Sequence, residues 1–227
     1  MIRKTLITTL TFFLLIFNNV SAEVKKLNMV FVPASEKGDE NDYTNLINIV
    51  NKLTGIEIKF IKVTDYNAAV EAMRADRAQM AWYGGKTYIK AAEIANAEAF
   101  AAGVRLGEQD AGYFTYFVVK ADSSLKKFTD VEGRVLSLNS IGSTSGDLIP
   151  QVELAKINLS TTNKKHFKKV FYAGSHDACL LAVLNKQADV CGMSSRNFEA
   201  RLADKTFKKS DVKILHKSDR VPPPPLA

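Results

Sequence analysis

The sequence predicts an α/β fold with two lobes, and three observations support this prediction. Short apolar runs alternate with segments of helical periodicity along residues 23–215, which is typical of parallel-rich sheets covered by helices. The alternation passes through two successive rounds, divided near residues 120–127. The chain has 227 residues, 46% of them hydrophobic and 24% charged, so it is long enough for two lobes of about 100 residues each.

Composition excludes several classes of protein. Twelve Gly and six Pro are too few for a fibrous or linker-rich chain, and two Cys cannot build a disulfide scaffold. The net charge of +7 suits an anionic partner. The basic run at residues 164–169 lacks the interleaved aromatic residues of a single-strand binder, so we expect a solvated face and no nucleic-acid partner.

The first 22 residues have the pattern of a signal peptide. Arg3 and Lys4 precede an apolar stretch at residues 6–17, and the small residues Ser21 and Ala22 follow where a signal peptidase would cut. A membrane anchor is the alternative, but the stretch is shorter than the roughly 20 residues that span a bilayer. We therefore expect an exported, soluble chain that begins at Glu23.

Each element of the first round follows from local pattern. Apolar residues at helical spacing predict the first helix, and Gly55 ends it. The predicted strands are 27–32, 56–61, 80–83, 99–104 and 113–120, and the predicted helices are 43–53, 66–74 and 86–95.

The second round repeats this alternation. The predicted strands are 134–138, 170–172, 188–192 and 212–216, and the helical segments are 128–131, 147–156, 175–184 and 197–203, with a loop at 141–146. Four consecutive prolines at 222–225 argue against a helix or a central strand there, so we expect a truncated chain. The predicted divisions are a signal peptide at 1–22, lobe 1 at 23–118, lobe 2 at 119–215 and a return crossover at 216–227.

A hydroxyl-rich loop is the strongest candidate site. Ser143, Thr144 and Ser145 lie between Gly142 and Gly146, after a strand and before a helix. Backbone N–H groups at a helix N-terminus point at anions, and hydroxyls donate hydrogen bonds without adding charge, a combination that suits a tetrahedral oxyanion. The alternative is a simple helix cap. No Gly-Lys-Ser/Thr follows, and the central residue is Thr144, so neither a Walker A loop nor a nucleophile elbow is indicated.

Other candidate residues are individually ambiguous. His176 opens a predicted helix that Asp177 is expected to cap, while Tyr66 and Tyr113 open a helix and a strand. Each fits a structural role as well as a cleft. Two buried apolar side chains are the favoured interpretation of Cys179 and Cys191, with a disulfide or a catalytic thiol left open.

Together these segments resemble one family. The chain is similar to the phosphate/phosphite/phosphonate-type periplasmic substrate-binding proteins of ABC importers over essentially all of the mature sequence. The segments that carry the resemblance are Asp65-Tyr66, Met80–Gly84, Gly112-Tyr113, Ser143–Gly146, Ala173–Asp177 and Ala188–Val190. The resemblance implies a type II-like periplasmic binding fold, a monomer without a cofactor, and an ABC permease with its ATPase as partners. It also implies several tens of residues beyond Ala227, returning to lobe 1.

The resemblance also implies roles for individual residues. Ser143, Thr144, Ser145 and His176 would hold the oxyanion from one lobe, and the phenols of Tyr66 and Tyr113 would reach it from the other. No catalytic residue is implied.

Two positions depart from relatives that bind aminoalkylphosphonates. Where those relatives place carboxylates against the ammonium group, this chain has Arg196 and Pro224, although Glu199 is an alternative counterpart of the first. We therefore expect an oxyanion without an amine, such as phosphite, methylphosphonate or phosphate, and Arg196 is a candidate for contacting a second anionic group. Selenate-like oxyanions stay open.

Two other functions remain possible on the sequence alone. An exported sensory module would bind the same oxyanion and present it to a receptor. An exported hydrolase would use Ser143 or Ser145 with His176, but no acid is convincingly placed to orient that histidine.

Overall fold

A computed structural model of the chain describes residues 24–34, 39–104 and 111–227, without the side chains of 39–43. The predicted signal peptide lies outside the described residues. Within these ranges no helix combines the length and the apolar character needed to cross a bilayer. Two mixed, five-stranded sheets with flanking helices form the described structure, and the predicted α/β class is confirmed.

The elements follow the alternation that the sequence predicts. The strands are β1 (Lys26–Phe31), β2 (Glu57–Ile61), β3 (Met80–Trp82), β4 (Ala101–Ala102), β5 (Thr115–Lys120), β6 (Val135–Leu138), β7 (Lys169–Tyr172), β8 (Val190–Ser194), β9 (Val212–Lys217) and β10 (Pro225–Leu226). The helices are α1 (Asp39–Thr54), α2 (Tyr66–Arg74), α3 (Gly85–Ala95), α4 (Ile149–Ala155), α5 (His176–Leu184) and α6 (Ser195–Ala203).

The first sheet has the strand order β2-β1-β3-β10-β4. β1 runs parallel to both β2 and β3, and β10 runs antiparallel to its neighbours. Val30 and Ala81 of this sheet pack against Val70 of α2 and against Tyr83, and all four are fully buried. This core fixes where β1 and β3 end.

The second sheet has the order β7-β6-β8-β5-β9. β6 runs parallel to β7 and β8, whereas β5 pairs antiparallel with β8 and β9. The predicted lobe boundary at 118/119 falls inside β5, all of which belongs to the second sheet. The physical reason is that Phe117, Val118 and Val119 are fully buried in the centre of that sheet.

The proline run does enter a sheet, contrary to the expectation that it would resist a central strand. Pro225 and Leu226 form β10, between β3 and β4. A proline has no N–H but keeps its carbonyl, and the carbonyl of Pro225 accepts from the N–H of Tyr83. Before this point Val221 forms an antiparallel bridge with Tyr113, so two chain segments cross side by side between the sheets.

Cys179 and Cys191 form a disulfide, so the favoured interpretation of two unpaired buried side chains is wrong. Both residues are fully buried, which the apolar interpretation did predict. The bond joins the first half of α5 to the start of β8.

Element boundaries differ from the predictions at two positions near the cleft. The predicted loop 141–146 is already helical from Thr144, because a π-helical turn at Thr144–Leu148 leads directly into α4. α5 is capped by Ser175, whose hydroxyl accepts from the N–H of Ala178, and not by Asp177. Asp177 instead forms an ion pair with Arg201 of α6.

Candidate functional site

A cavity of about 220 Å³ lies between the two sheets, where β1, β3, β6 and β8 reach their carboxyl ends. Open α/β sheets bind ligands at this edge. All seven predicted site residues line it. The described lining residues are Phe31, Val32, Ala34, Tyr66, Trp82, Tyr83, Gly84, Tyr113, Ser143, Thr144, Ser145, His176, Ser194, Arg196, Asn197, Ala200, Arg201 and Pro224.

The hydroxyl loop is held by its own backbone. Ser143 caps the π-helical turn, and its Oγ accepts from the N–H of Gly146 at 3.0 Å. Ser143, Thr144 and Ser145 are all buried, so their hydroxyls lie in a water-poor environment. A buried hydroxyl binds an ionised acceptor more strongly than an exposed one does.

Thr144 connects the two sheets. Its Oγ1 accepts from the backbone N–H of Lys86, in the first turn of α3, at 2.9 Å. A Cβ at Gly84 would lie 2.9 Å from that oxygen, so the close approach of α3 requires glycine at this position. The motif Trp82-Tyr83-Gly84-Gly85 thus places the N-terminus of α3 on the hydroxyl loop.

An ion pair reinforces this contact. Lys86 Nζ lies 2.5 Å from Oδ2 of Asp147, which is buried and also accepts from the phenol of Tyr172. Burial raises the pKa of Asp147, but the hydrogen bonds from Lys86 and Tyr172 outweigh it and hold the pKa below its usual range. Asp147 is therefore ionised, and its carboxylate holds the side chains of Lys86 and Tyr172 next to the hydroxyl loop.

His176 is a neutral donor. Its Nδ1 accepts from the backbone N–H of Ser194 at 3.2 Å, which leaves the proton on Nε2. Burial lowers the pKa of His176 to about 4, although the charge of Asp177 acts in the opposite direction. Nε2 lies 3.5 Å from Oγ of Ser145, on the cavity side.

The two tyrosines come from different parts of the chain. Tyr66 begins α2 and is 2% exposed, and its Oη accepts from Nδ2 of Asn139 at 3.4 Å. Tyr113 lies in the crossing segment beside Val221. Burial raises the pKa of Tyr113, and the side chains of Ser145 and Thr144 hydrogen-bond to it.

Arg196 lies in the first turn of α6 and lines the cavity. Its guanidinium donates to the carbonyls of Gly103 and Gly112 and stands 5.5 Å from the centre of the Tyr113 ring. Pro224 lines the same cavity. Glu199 is not among the described lining residues, and its carboxylate accepts from Tyr116, so Arg196 is the residue of this pair that reaches the cavity.

Sequence reasoning missed several residues that shape the site. Lys86 and Asp147 carried no signal, because their importance depends on contacts between distant segments. Asn139, whose Nδ2 donates to both Tyr66 and Ser143, lies before the predicted loop 141–146 and was not singled out. Within the described ranges no three His, Cys, Asp or Glu side chains are grouped as metal ligands.

Two mixed sheets with a cleft between them are the fold of periplasmic binding proteins. A family model described as the periplasmic phosphonate substrate-binding protein of an ABC transporter matches residues 29–227, and the chain belongs to that family. It is 28% identical over 208 residues to a phosphonates-binding periplasmic protein of Escherichia coli, covering 89% of this chain and 60% of that protein. A phosphate-import protein of Mycolicibacterium smegmatis is 26% identical, with 86% and 63% covered.

Solved structures show the same fold. A binding-protein component of an ABC phosphonate transporter from Pseudomonas aeruginosa superposes with a TM-score of 0.81 at 26% identity, covering 89% of this chain and 68% of the other. A methylphosphonate complex from Prochlorococcus marinus gives a TM-score of 0.78 at 23% identity, with 89% and 75% covered. The chain spans about three fifths of the length of the curated relatives it matches.

Proposed function

We propose that the chain is the periplasmic solute-binding component of an ABC importer and captures a small tetrahedral oxyanion without an amine. The observation that carries the proposal is the set of neutral donors in one buried cleft. The hydroxyls of Ser143, Thr144 and Ser145 and the Nε2–H of His176 line it together with two phenols. No lining residue in the described ranges is a carboxylate.

This donor set matches the chemistry of an oxyanion. Each oxygen of a phosphonate accepts hydrogen bonds, and bonds between a neutral donor and an ionised acceptor are about twice as strong as neutral pairs. The N-terminal turn that carries the three hydroxyls adds a favourable dipole. Several such bonds together hold a charged ligand without a directly opposed cation.

The absence of an amine in the ligand is proposed from Arg196 and Pro224. An ammonium group at this side of the cavity would lie near a guanidinium and a proline, neither of which accepts a hydrogen bond from it through its side chain. Repulsion from Arg196 would disfavour an aminoalkylphosphonate. Curated relatives are named for phosphonates, phosphate or phosphite, and each of these groups lacks an obligatory amine.

Binding is proposed to proceed by closure of two lobes built on the two sheets. Loop residues of the second sheet and the N-termini of α2 and α3 meet at the cavity, so a ligand there contacts both sides at once. Such a ligand stabilises the closed arrangement by its higher affinity for it. An ABC permease and its ATPase are the proposed partners, and the permease would bind the closed form of this protein.

The geometry of His176 disfavours a serine hydrolase. A general base must accept the proton of the nucleophile, yet the nitrogen of His176 nearest Ser145 already carries a proton. The other ring nitrogen accepts from a backbone N–H where a hydrolase would place a carboxylate. The donor role fits binding better than it fits catalysis.

The test is calorimetric titration with phosphite, methylphosphonate, phosphate, 2-aminoethylphosphonate, sulfate and selenate. We expect binding of at least one amine-free oxyanion and a loss of about tenfold or more in affinity in Thr144→Val, since a hydrogen bond to a charged group contributes about 1.5–3 kcal/mol. Thr162→Val, at an exposed threonine of the second sheet's periphery, is the matched control and should bind as wild type. Binding of none of the six by folded protein would refute the proposal, and equal affinity for 2-aminoethylphosphonate and methylphosphonate would refute its amine-free part.

A further inference from the structure

Backbone N–H groups fix the direction of the hydrogen bonds at three side chains of the cleft, Ser143, Thr144 and His176. Thr144 Oγ1 accepts from the N–H of Lys86 at 2.9 Å, and Ser143 Oγ accepts from the N–H of Gly146 at 3.0 Å. Backbone N–H groups can only donate. Ser143 Oγ also accepts from Nδ2 of Asn139, so both of its lone pairs are engaged and its O–H proton is left to be donated. Thr144 Oγ1 has one lone pair engaged, by the N–H of Lys86.

The same rule applies to the histidine. The N–H of Ser194 donates to Nδ1 of His176, so the ring presents Nε2–H to the cavity. Nδ2 of Asn139 donates to Ser143 Oγ at 3.3 Å, in the same sense as Gly146. These N–H donors come from different parts of the chain, and all of them orient the cleft in the same direction: the protein donates hydrogen bonds and the ligand accepts them.

Among the described residues that line the cavity, no carboxylate is present to reverse this polarity. Asp147 is occupied by Lys86, Tyr172 and Gln151, and Asp177 is paired with Arg201. A ligand that carries its own O–H at one of the bound oxygens would oppose one donor to another. A buried donor left without an acceptor loses the hydrogen bond and also its solvation.

We propose that this site selects the fully ionised form of its oxyanion, so that a phosphonate is bound as the dianion and the singly protonated monoanion is rejected. The inference rests on the proposed function and specifies the protonation state of the ligand that it takes. Discrimination comes from the outward direction of the donors, and a general positive charge would not produce it. A charged pocket would attract both forms, whereas Ser143 and Nε2–H of His176, which can only donate, require an acceptor at each ligand oxygen that they bind.

The charged and titratable groups around the cavity come from every element packed against it. Among the described residues, those that line it or adjoin it are Tyr66, Tyr83, Lys86, Tyr113, Asp147, Tyr172, His176, Asp177, Arg196 and Arg201. His176, with its pKa near 4, and Tyr113, with its raised pKa, keep their protonation between pH 5.5 and about 8.5. Across this interval the second ionisation of the ligand is the step that changes the donor–acceptor match.

The experiment measures protons released on binding. Methylphosphonate is titrated into the protein at one pH unit below the ligand's own second pKa, in buffers of different ionisation enthalpy. Selective binding of the dianion should release about 0.9 proton per ligand and weaken the observed affinity about tenfold per pH unit below that pKa. The second pKa of phosphite is determined separately. Phosphite should show the same proton release and the same loss of affinity per pH unit, beginning at its own second pKa.

The outcomes separate the two proposals. Binding with no proton release, or a break at one common pH for both ligands, would overturn dianion selection and leave oxyanion binding intact. Absence of binding by both ligands and by the other four oxyanions, on folded protein at every pH, would overturn the proposed function and this inference with it.

Discussion

The backbone N–H of Lys86 donates to the hydroxyl of Thr144 across the boundary between the two sheets, at 2.9 Å. This bond and the ion pair of Lys86 with Asp147 are made by one residue of α3. When Thr144 donates its own proton to a ligand, its oxygen becomes a better acceptor for Lys86, because successive hydrogen bonds polarise one another. In the proposed mechanism, ligand binding and lobe closure are therefore coupled through this chain of hydrogen bonds.

Replacing Lys86 tests that chain. Lys86→Ala and Lys86→Pro both remove the ion pair with Asp147, but only the proline also lacks the N–H that donates to Thr144. Position 86 lies in the first turn of α3, where proline is tolerated. We expect Lys86→Pro to bind methylphosphonate about fivefold more weakly than Lys86→Ala, corresponding to about 1 kcal/mol for one hydrogen bond. Equal dissociation constants by calorimetry, with equal circular dichroism, would contradict the coupling.

Gly142 is a second point of contact between the sheets. Its φ is +98°, and a Cβ there would lie 3.0 Å from Cβ of Tyr66. Gly133 also has a positive φ, +72°, but a Cβ there meets open space. Alanine at either position should therefore lower the free energy of unfolding by about 1–2 kcal/mol. Only Gly142→Ala should also weaken ligand binding, by about tenfold, because it separates α2 from the hydroxyl loop. Unchanged affinity in Gly142→Ala would show that this contact is not needed for closure.

The disulfide should stabilise the second sheet. Cys179 and Cys191 are 12 residues apart, and a loop of this size corresponds to about 3 kcal/mol in the chain-entropy description. The double variant Cys179→Ala/Cys191→Ala should unfold in urea with a free energy lower by about 2–4 kcal/mol. Wild-type protein reduced in denaturant and refolded with blocked thiols is the control for the loss of the bond itself. Identical unfolding curves for oxidised and reduced protein would contradict a structural role.

Much of the fold could be predicted because local signals coincide with the elements. α2 begins and ends where the sequence predicts, since Asp65 caps it and accepts from the N–H of Ala68. The membership of β5 in the second sheet and the strand at Pro225 could not be predicted in the same way. Both depend on pairing with strands far along the chain, which periodicity does not reveal.

The site residues also divide into those that local sequence signals mark and those that depend on contacts between distant segments. Ser143, Thr144 and Ser145 were identifiable because two glycines and a helix start mark them locally, whereas the role of His176 was implied by the family resemblance. The structure brings all four to one cavity. Lys86 and Asn139 were not, because each acts by donating a hydrogen bond to a residue more than three positions away. The disulfide could not be chosen over two buried thiols, since buried sulfur and bonded sulfur leave the same apolar pattern.

The burial of His176 predicts how stability depends on pH. Its pKa is about 4 in the folded protein and about 6.5 in the unfolded chain, so the unfolded chain binds the proton first as pH falls. The neutral ring therefore contributes stability that is fully present above pH 6.5 and is lost as pH falls from 6.5 towards 4. The loss amounts to about 3 kcal/mol at most, from about 1.4 kcal/mol per pKa unit.

His176→Asn provides the matched comparison, because its amide can accept from the N–H of Ser194 but does not titrate. The variant should be less stable than wild type at pH 7.5, and the difference in free energy of unfolding should shrink by about 3 kcal/mol as pH falls to 4. Urea unfolding of ligand-free protein at half-unit intervals measures this, since other carboxylates titrate alike in both proteins and cancel. Two curves that stay parallel from pH 7.5 to 4 would mean that His176 has the same pKa in the folded protein as in the unfolded chain, and the ring would then be charged in the cleft below about pH 6.5.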